Sequence, residues 1–345
     1  IRKVTGYISY VRGENPYTFP YRIYPDEFAK KNTFSSIPYP KYQMNLKPIS
    51  ENDKKRIINL FITKMSKCDN CGKCQSCVYK YVINYLRHKQ IIFHTKKGKE
   101  IKMPSFENMD SFGYTLLQNP LRSLIISYPM DGLKEIVEKM DNPKDMERID
   151  SDQNNFDMKY HIDPNDLTGK TGLSRIMHFK ETTVPLEKGS FSYKKSTLDE
   201  YGQIFNRKLI GKYSVKIKNV LDSIYNTESN RVSDGIILIY SQYIDGGLIP
   251  MALALEEMGF IRYGKNIKSL FKEKPTDTVD VRTMRKPTDK SNFLPAQYSL
   301  ITGDKKLSPD NDFEVKGLTN FDNTNGEKVK VVLISKAGTE GIDFK

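Results

Sequence analysis

Two short, uninterrupted apolar runs, Ile236 to Tyr240 and Val331 to Ile334, constrain this chain more than any other feature. A run of strand length that is apolar at every position fits a strand buried on both faces, and such strands belong to parallel sheets covered by helices. Tyr201 to Tyr225 place Phe205, Leu209, Tyr213, Ile217, Leu221 and Ile224 at steps of three or four, which predicts an amphipathic helix. Ile249 to Met258 is helical in composition and stops at Gly259. Phe260 to Tyr263, Gln297 to Thr302 and Lys328 to Ser335 read as further strands, with a basic Pro- and Thr-containing stretch, Gly264 to Phe293, between the first two. This order predicts an α/β fold, an open parallel sheet with helices on both faces. The apolar runs fall far short of the roughly 18 residues that span a bilayer, so no membrane partner is expected.

The first two hundred residues read differently. Residues 1–45 alternate polar and apolar positions among Tyr and Pro and predict extended segments. Glu51 to Ser66 and Val78 to His88 predict two helices, with the cysteines between them as a hinge. A hairpin is expected around Lys97-Gly98-Lys99, a helix from Gly132 to Met140, and a solvent-exposed or disordered loop over residues 141–160, which are rich in charge and Asn. Ile1 is not an initiator Met and Lys345 closes a segment that reads as unfinished, so an excerpt of a longer protein is expected.

All four cysteines, Cys68, Cys71, Cys74 and Cys77, fall within ten residues. A secreted scaffold would spread its cysteines to staple distant loops, so the cluster predicts an intracellular protein and a bound metal. Four thiolates close a tetrahedral zinc site, with Lys67, Lys73 and Lys80 offsetting charge. The C-x2-C-x2-C spacing also suits three corners of an iron–sulfur cluster, and a metal-free cluster is the third alternative. His88 and His94 are either substitute ligands or exposed histidines beside lysines.

Fifty-five Lys and Arg against 42 Asp and Glu give a formal charge of +13. A basic surface gains affinity for polyanions by releasing their counterions, and it also serves plain solubility. Two stretches concentrate the excess: Lys80 to Lys102, with seven basic residues against one acid, and Arg262 to Lys290, with nine against four.

The segment from Val331 to Phe344 is a strand that runs into a small, hydroxyl-bearing turn punctuated by Gly338 and Gly341. Such a turn brings backbone N–H groups close to a phosphate, with Ser335 and Thr339 as further donors and Asp343 as a fixed acceptor. Gly169-Lys170-Thr171 imitates the end of a phosphate loop, but Pro164 stands where its first glycine belongs and no apolar strand precedes it, so a turn is expected.

Residues 331–344 resemble motif V of superfamily 2 helicases, and Gly235 to Gly259 resemble the motif IV strand and helix of the Swi/Snf-like branch. With Tyr298 to Asp304 between them, the order most resembles the helicases of nucleocytoplasmic large DNA viruses, the group of the poxvirus early transcription factor ATPase and nucleoside triphosphate phosphohydrolase I. The specific match covers roughly residues 203–345. The resemblance implies a RecA-like second motor lobe over 201–345, truncated after motif V. Before it would come an extended leading segment over 1–45 and an insertion over 46–200 carrying the cysteine hairpin. It implies that Gly338, Thr339, Glu340, Gly341 and Asp343 face ATP and the cleft between lobes, and that Ser241, Gln242, Tyr243, Thr302, Gly303, Ser335 and Lys336 face nucleic acid. Glu340 departs from the arginine common before the motif V glycine. The phosphate loop, the acidic metal-binding motif and the arginine finger are all missing from the sequence, so ATP and Mg2+ are implied only for an intact parent carrying the first lobe, and no catalytic residue is assigned. The implied partners are DNA or RNA and viral RNA polymerase subunits, in the host cytoplasm or virion. A non-catalytic module that binds nucleic acid or polymerase is the alternative.

Overall fold

The computed structural model describes residues 23–65, 72–88, 93–94, 100–101, 114–140, 162–180, 189–265, 267, 269–288 and 291–336. The chain forms two compact units, residues 1–62 and 63–345. In the first, α1 (Pro25–Phe28) and a 3-10 turn (Lys30–Asn32) precede α2 (Glu51–Lys54). Ser50 caps α2 by accepting from the Asp53 N–H at 3.2 Å, while the Asp53 carboxylate accepts from the Ser50 N–H at 3.0 Å. The helix expected to continue to residue 66 stops at Lys54. The backbone that it would need is committed elsewhere: Ile62 N–H donates to the Asn32 carbonyl at 2.7 Å, and the Ile62 carbonyl accepts from the Asn32 side-chain amide at 3.1 Å. The extended reading of residues 1–45 also gives way where described, because residues 25–28 and 30–32 are helical.

The second unit opens with α3 (Gln75–His88), a two-residue hairpin pairing β1 (Phe93–His94) with β2 (Glu100–Ile101), α4 (Tyr114–Ile125) and α5 (Leu133–Met140). Val78, Tyr81 and Val82 of α3 bury against Leu133, Ile136 and Val137 of α5 and Leu167. Gln75 ties this layer to the rest: its amide donates to the Ser123 carbonyl at 2.9 Å and accepts from Val215 N–H at 3.0 Å. Then come α6 (Gly169–Ile176), the hairpin of β3 (Met177–His178) and β4 (Ser192–Tyr193), α7 (Lys195–Tyr201), α8 (Val215–Ile224) and the hairpin of β5 (Tyr225–Asn226) and β6 (Arg231–Val232). Gly169-Lys170-Thr171, expected as a turn, forms the first turn of α6, entered from a 3-10 turn (Pro164–Leu167). The long amphipathic helix expected over 201–225 is broken: α7 ends at Gly202, whose φ of 70° suits glycine, and α8 starts only after Ser214, whose hydroxyl accepts from Ile217 N–H at 3.0 Å.

The remaining elements are β7 (Ile237–Tyr240), a π-helical turn (Ile244–Leu248) leading into α9 (Ile249–Glu257), β8 (Ile261–Arg262), β9 (Gln297–Ile301), α10 (Asn311–Thr319) and β10 (Val331–Ile334). The four strands form one parallel sheet in the order β7-β10-β9-β8, with Val331 opposite Ile237 and Tyr298. Side chains alternate between its faces. Ile237, Ile239, Val331, Leu333, Tyr298 and Leu300 join α8, α9, Ile126, Tyr128, Leu173 and Phe191 in the main core, which therefore continues across residue 200. Val332, Ile334 and Ile301 join Leu318 of α10 on the other face. The α/β reading holds, with helices on both faces. The Ile236–Tyr240 run is not buried on both sides as expected, because β7 lies at an edge: Leu238 is 56% and Tyr240 53% exposed. No described helix is long and apolar enough to cross a membrane.

The described part of the basic stretch between β8 and β9 packs into the sheet's core. Leu270, Phe271, Val281 and Met284 enter the main core, held by Glu256, whose carboxylate accepts from Leu270 N–H at 2.7 Å, Phe271 N–H at 3.0 Å and the Tyr298 hydroxyl at 2.7 Å.

Candidate nucleic-acid interface

In a parallel sheet every strand ends at the same edge, where ligands of open α/β sheets bind. The ladder continues one residue past three strands: Ser241 N–H donates to the Ile334 carbonyl at 3.1 Å, Ser335 N–H to that of Ile301 at 3.1 Å, and Tyr263 N–H to that of Tyr298 at 2.8 Å. Ser241, Ser335 and Thr302 therefore stand level along one rim, while Tyr263, after the shorter β8, is level with Ser299, three residues back along β9.

Their side chains differ in what they can offer. The Ser241 hydroxyl accepts from Tyr243 N–H at 3.1 Å and closes a turn under the π-helical start of α9. Gln242 is exposed, and the Tyr243 ring lies 5.6 Å below the Arg122 guanidinium. Thr302 is buried, and its hydroxyl accepts from Asp304 N–H at 3.2 Å and pairs with the Ser308 hydroxyl at 3.0 Å. It shapes the loop instead of facing out, whereas the next residue, Gly303, is exposed. Ser335 is only 3% exposed, and among the described residues its hydroxyl has no hydrogen-bond partner. A buried hydroxyl left unpaired costs about 1–3 kcal/mol, so this one marks a place where a partner is expected. Lys336 beside it is exposed. Gly338, Thr339, Glu340, Gly341 and Asp343 lie outside the described residues.

Lys305 and Lys306 belong to this rim and were missed in the sequence reading. Both are exposed in the loop after β9, directly behind Gly303. Their position after a strand that ends in Thr-Gly was the available signal.

The two basic stretches fare unequally. Most of Lys80 to Lys102 lies outside the described side chains, including those of His88 and His94. In the second stretch, Arg262 is buried, donates to the Leu307 carbonyl and stands 3.9 Å from Glu314, so it is a core cation and offers nothing to a phosphate. Burial raises the Glu314 carboxyl above its ordinary value despite the opposing pull of Arg262. Arg282 and Lys286 pair with Asp280 and Asp277.

The cysteine cluster does not support the expected four-thiolate site. Cys77 is buried in the first turn of α3 and disulfide-bonded, Cys74 is half-buried, and their sulfurs are 3.6 Å apart. A sulfur in a disulfide lacks the thiolate charge that zinc or iron requires. Cys68 and Cys71 lie outside the described residues, and among the described residues no three His, Cys, Asp or Glu side chains gather as metal ligands.

Part of the chain is similar to viral proteins. Over 136 residues it is 32% identical to a Termination factor NPH-I homolog of African swine fever virus, a match covering 33% of this chain and 18% of that protein. Over 157 residues it is 24% identical to the protein L377 of Acanthamoeba polyphaga mimivirus, whose name describes an ATP-dependent RNA helicase; this match covers 42% of the chain and 14% of that protein. The chain thus spans less than a fifth of the length of these relatives. No protein-family model matches it. No solved structure matches it. Partial similarity to viral helicases and termination factors, on a parallel α/β sheet, is consistent with a relationship to the viral superfamily 2 helicases.

Proposed function

We propose that this chain supplies the second motor lobe of an ATP-dependent nucleic-acid helicase or translocase acting in viral transcription. The observation that carries the reading is the buried Ser335 hydroxyl, without a partner among the described residues, at the carboxyl rim of the sheet and within the segment that resembles motif V. In this reading Ser335 donates to a backbone phosphate, with Gln242, Gly303, Lys305, Lys306 and Lys336 along the same rim. Gly338 to Asp343 turn toward ATP and Mg2+ held against a first lobe of the intact protein. Nucleotide binding closes the cleft and hydrolysis reopens it, so that alternating grips on phosphates move the protein along a strand. The partial matches to proteins named for RNA helicase and termination activities support the setting.

The test is fluorescence anisotropy with labelled single-stranded RNA and DNA. Wild-type protein binds, and Ser335→Ala weakens binding by about 0.5–1.5 kcal/mol, one hydrogen bond, with an unchanged melting temperature. Absence of binding to either strand would refute the reading.

A further inference from the structure

A second feature, beside the rim, is aromatic. Phe313, in the first turn of α10, stacks on Tyr263 with ring centroids 5.5 Å apart and planes 16° from parallel. Tyr263 is nearly buried, and its ring lies flat along α10 because residue 317 is glycine: a Cβ there would stand 2.2 Å from the Tyr263 hydroxyl. Phe313 is fixed from below by Tyr263 and at its backbone by Asp310, which accepts from Phe313 N–H at 3.2 Å, yet it remains 37% exposed. A rigid ring with a dry back and a wet front is a platform for another flat group.

We propose that Phe313 is a base-stacking platform for single-stranded nucleic acid, an inference that rests on the proposed function and extends its contact surface. Charge favours this occupant. Exposed Lys265 follows Tyr263, exposed Lys305 and Lys306 precede α10, and exposed Lys316 lies one turn beyond Phe313 on the same side of the helix. Of the nearby acids, Asp304 and Asp310 are exposed but each is engaged by a backbone N–H, of Lys306 and Phe313, and Asp312 is exposed as well, so four lysines stand against three carboxylates. Size agrees as well: the platform is one ring wide, as a base requires, and far below the roughly 800 Å2 per partner of a stable protein interface. β8 and β10 flank β9, and Tyr263 is level with Ser299 while Ser335 is level with Thr302, so the two stand two strand spacings apart across the sheet and three residues apart along it, ~14 Å, within the span of a short oligonucleotide. Aromatic rings beside a basic track are how single strands are held without sequence preference.

The chain contains no tryptophan, so Phe313→Trp creates a single emitting indole at the platform. Titration with oligo-dT or oligo-U should quench its emission saturably, while a duplex of equal length should not. Phe313→Leu, which keeps packing on Tyr263 but loses the flat face, should bind the single strand about tenfold more weakly at unchanged melting temperature. Unresponsive emission together with wild-type affinity in Phe313→Leu overturns the platform and assigns the ring to a protein partner. If Ser335→Ala still weakens binding in that case, the proposed function stands without it. If wild-type protein binds no strand, the proposed function has failed and the platform with it.

Discussion

Gly247 sits so close to Ser241 that a Cβ on it would stand 2.3 Å from the Ser241 hydroxyl oxygen and 3.1 Å from its Cβ. The turn after β7 is therefore folded directly beneath the start of the following helix, which gives Gly247 a packing reason. The same contact fixes where Gln242 and Tyr243 leave the sheet.

Gly247→Ala should destabilise the protein by about 1–3 kcal/mol, the usual cost of forcing a methyl group into a filled site. Combining it with Ser241→Ala should recover part of that loss, since the closest clashing atom is gone. Chemical denaturation of the two single variants and the double variant checks this, and simple additivity would show that the contact is not the cause.

Glu256 should hold residues 269–284 in place. Gln at this position keeps one acceptor oxygen but presents an NH2 group to N–H or O–H donors, so Glu256→Gln should cost about 1–3 kcal/mol. Hydrogen exchange at the Leu270 and Phe271 amides should accelerate in the variant. Unchanged protection there would mean that core packing alone holds the segment.

What the sequence made legible follows the range of the interactions involved. The strands and α9 were readable because uninterrupted apolar runs depend on local composition. The exposure of Leu238 and Tyr240 was not, since an edge strand differs from a central one only in its neighbours, and α10 covers β9 and β10 but leaves that face of β7 open among the described residues. Periodicity ran through Gly202 and Ser214 as if one helix continued, because successive short turns reproduce steps of three and four. At the rim, Ser335 and Thr302 look equally available in the sequence, and what separates them is Ser308, distant enough to be unread there, which pairs with the Thr302 hydroxyl. Arg262 read as surface charge because its partner, Glu314, is distant in sequence.

Glu257 should make stability depend on pH in a definite sense. Burial raises its carboxyl above the ordinary value of 4.5, against the smaller opposing effects of hydrogen bonds from Tyr193 at 2.8 Å and Asn206 at 3.5 Å. A raised folded-state value means that the folded protein binds the proton more tightly than the unfolded chain. The stabilisation is complete below pH 4.5 and is lost as pH rises through the raised value. The cost of Glu257→Gln, which cannot titrate, should therefore be largest at low pH and shrink as pH rises. Denaturation of both proteins at several pH values measures it, and a cost that grows with pH would contradict the assignment.

Lys306 and Arg262 should behave oppositely despite carrying the same charge. Lys306 is exposed on the rim, so Lys306→Gln should leave the melting temperature unchanged and, if it touches a phosphate, reduce the salt slope of single-strand binding by about 0.7. Arg262 is buried beside Glu314, and Arg262→Met removes the cation while leaving a buried carboxylate, a change that typically costs about 3–5 kcal/mol. Thermal unfolding should register that loss at once. Any Arg262→Met protein that remains folded at low temperature should keep the wild-type salt slope, because no counterion is released from a site that nucleic acid never reaches. A reduced slope in that variant would place Arg262 back in the footprint and contradict its burial.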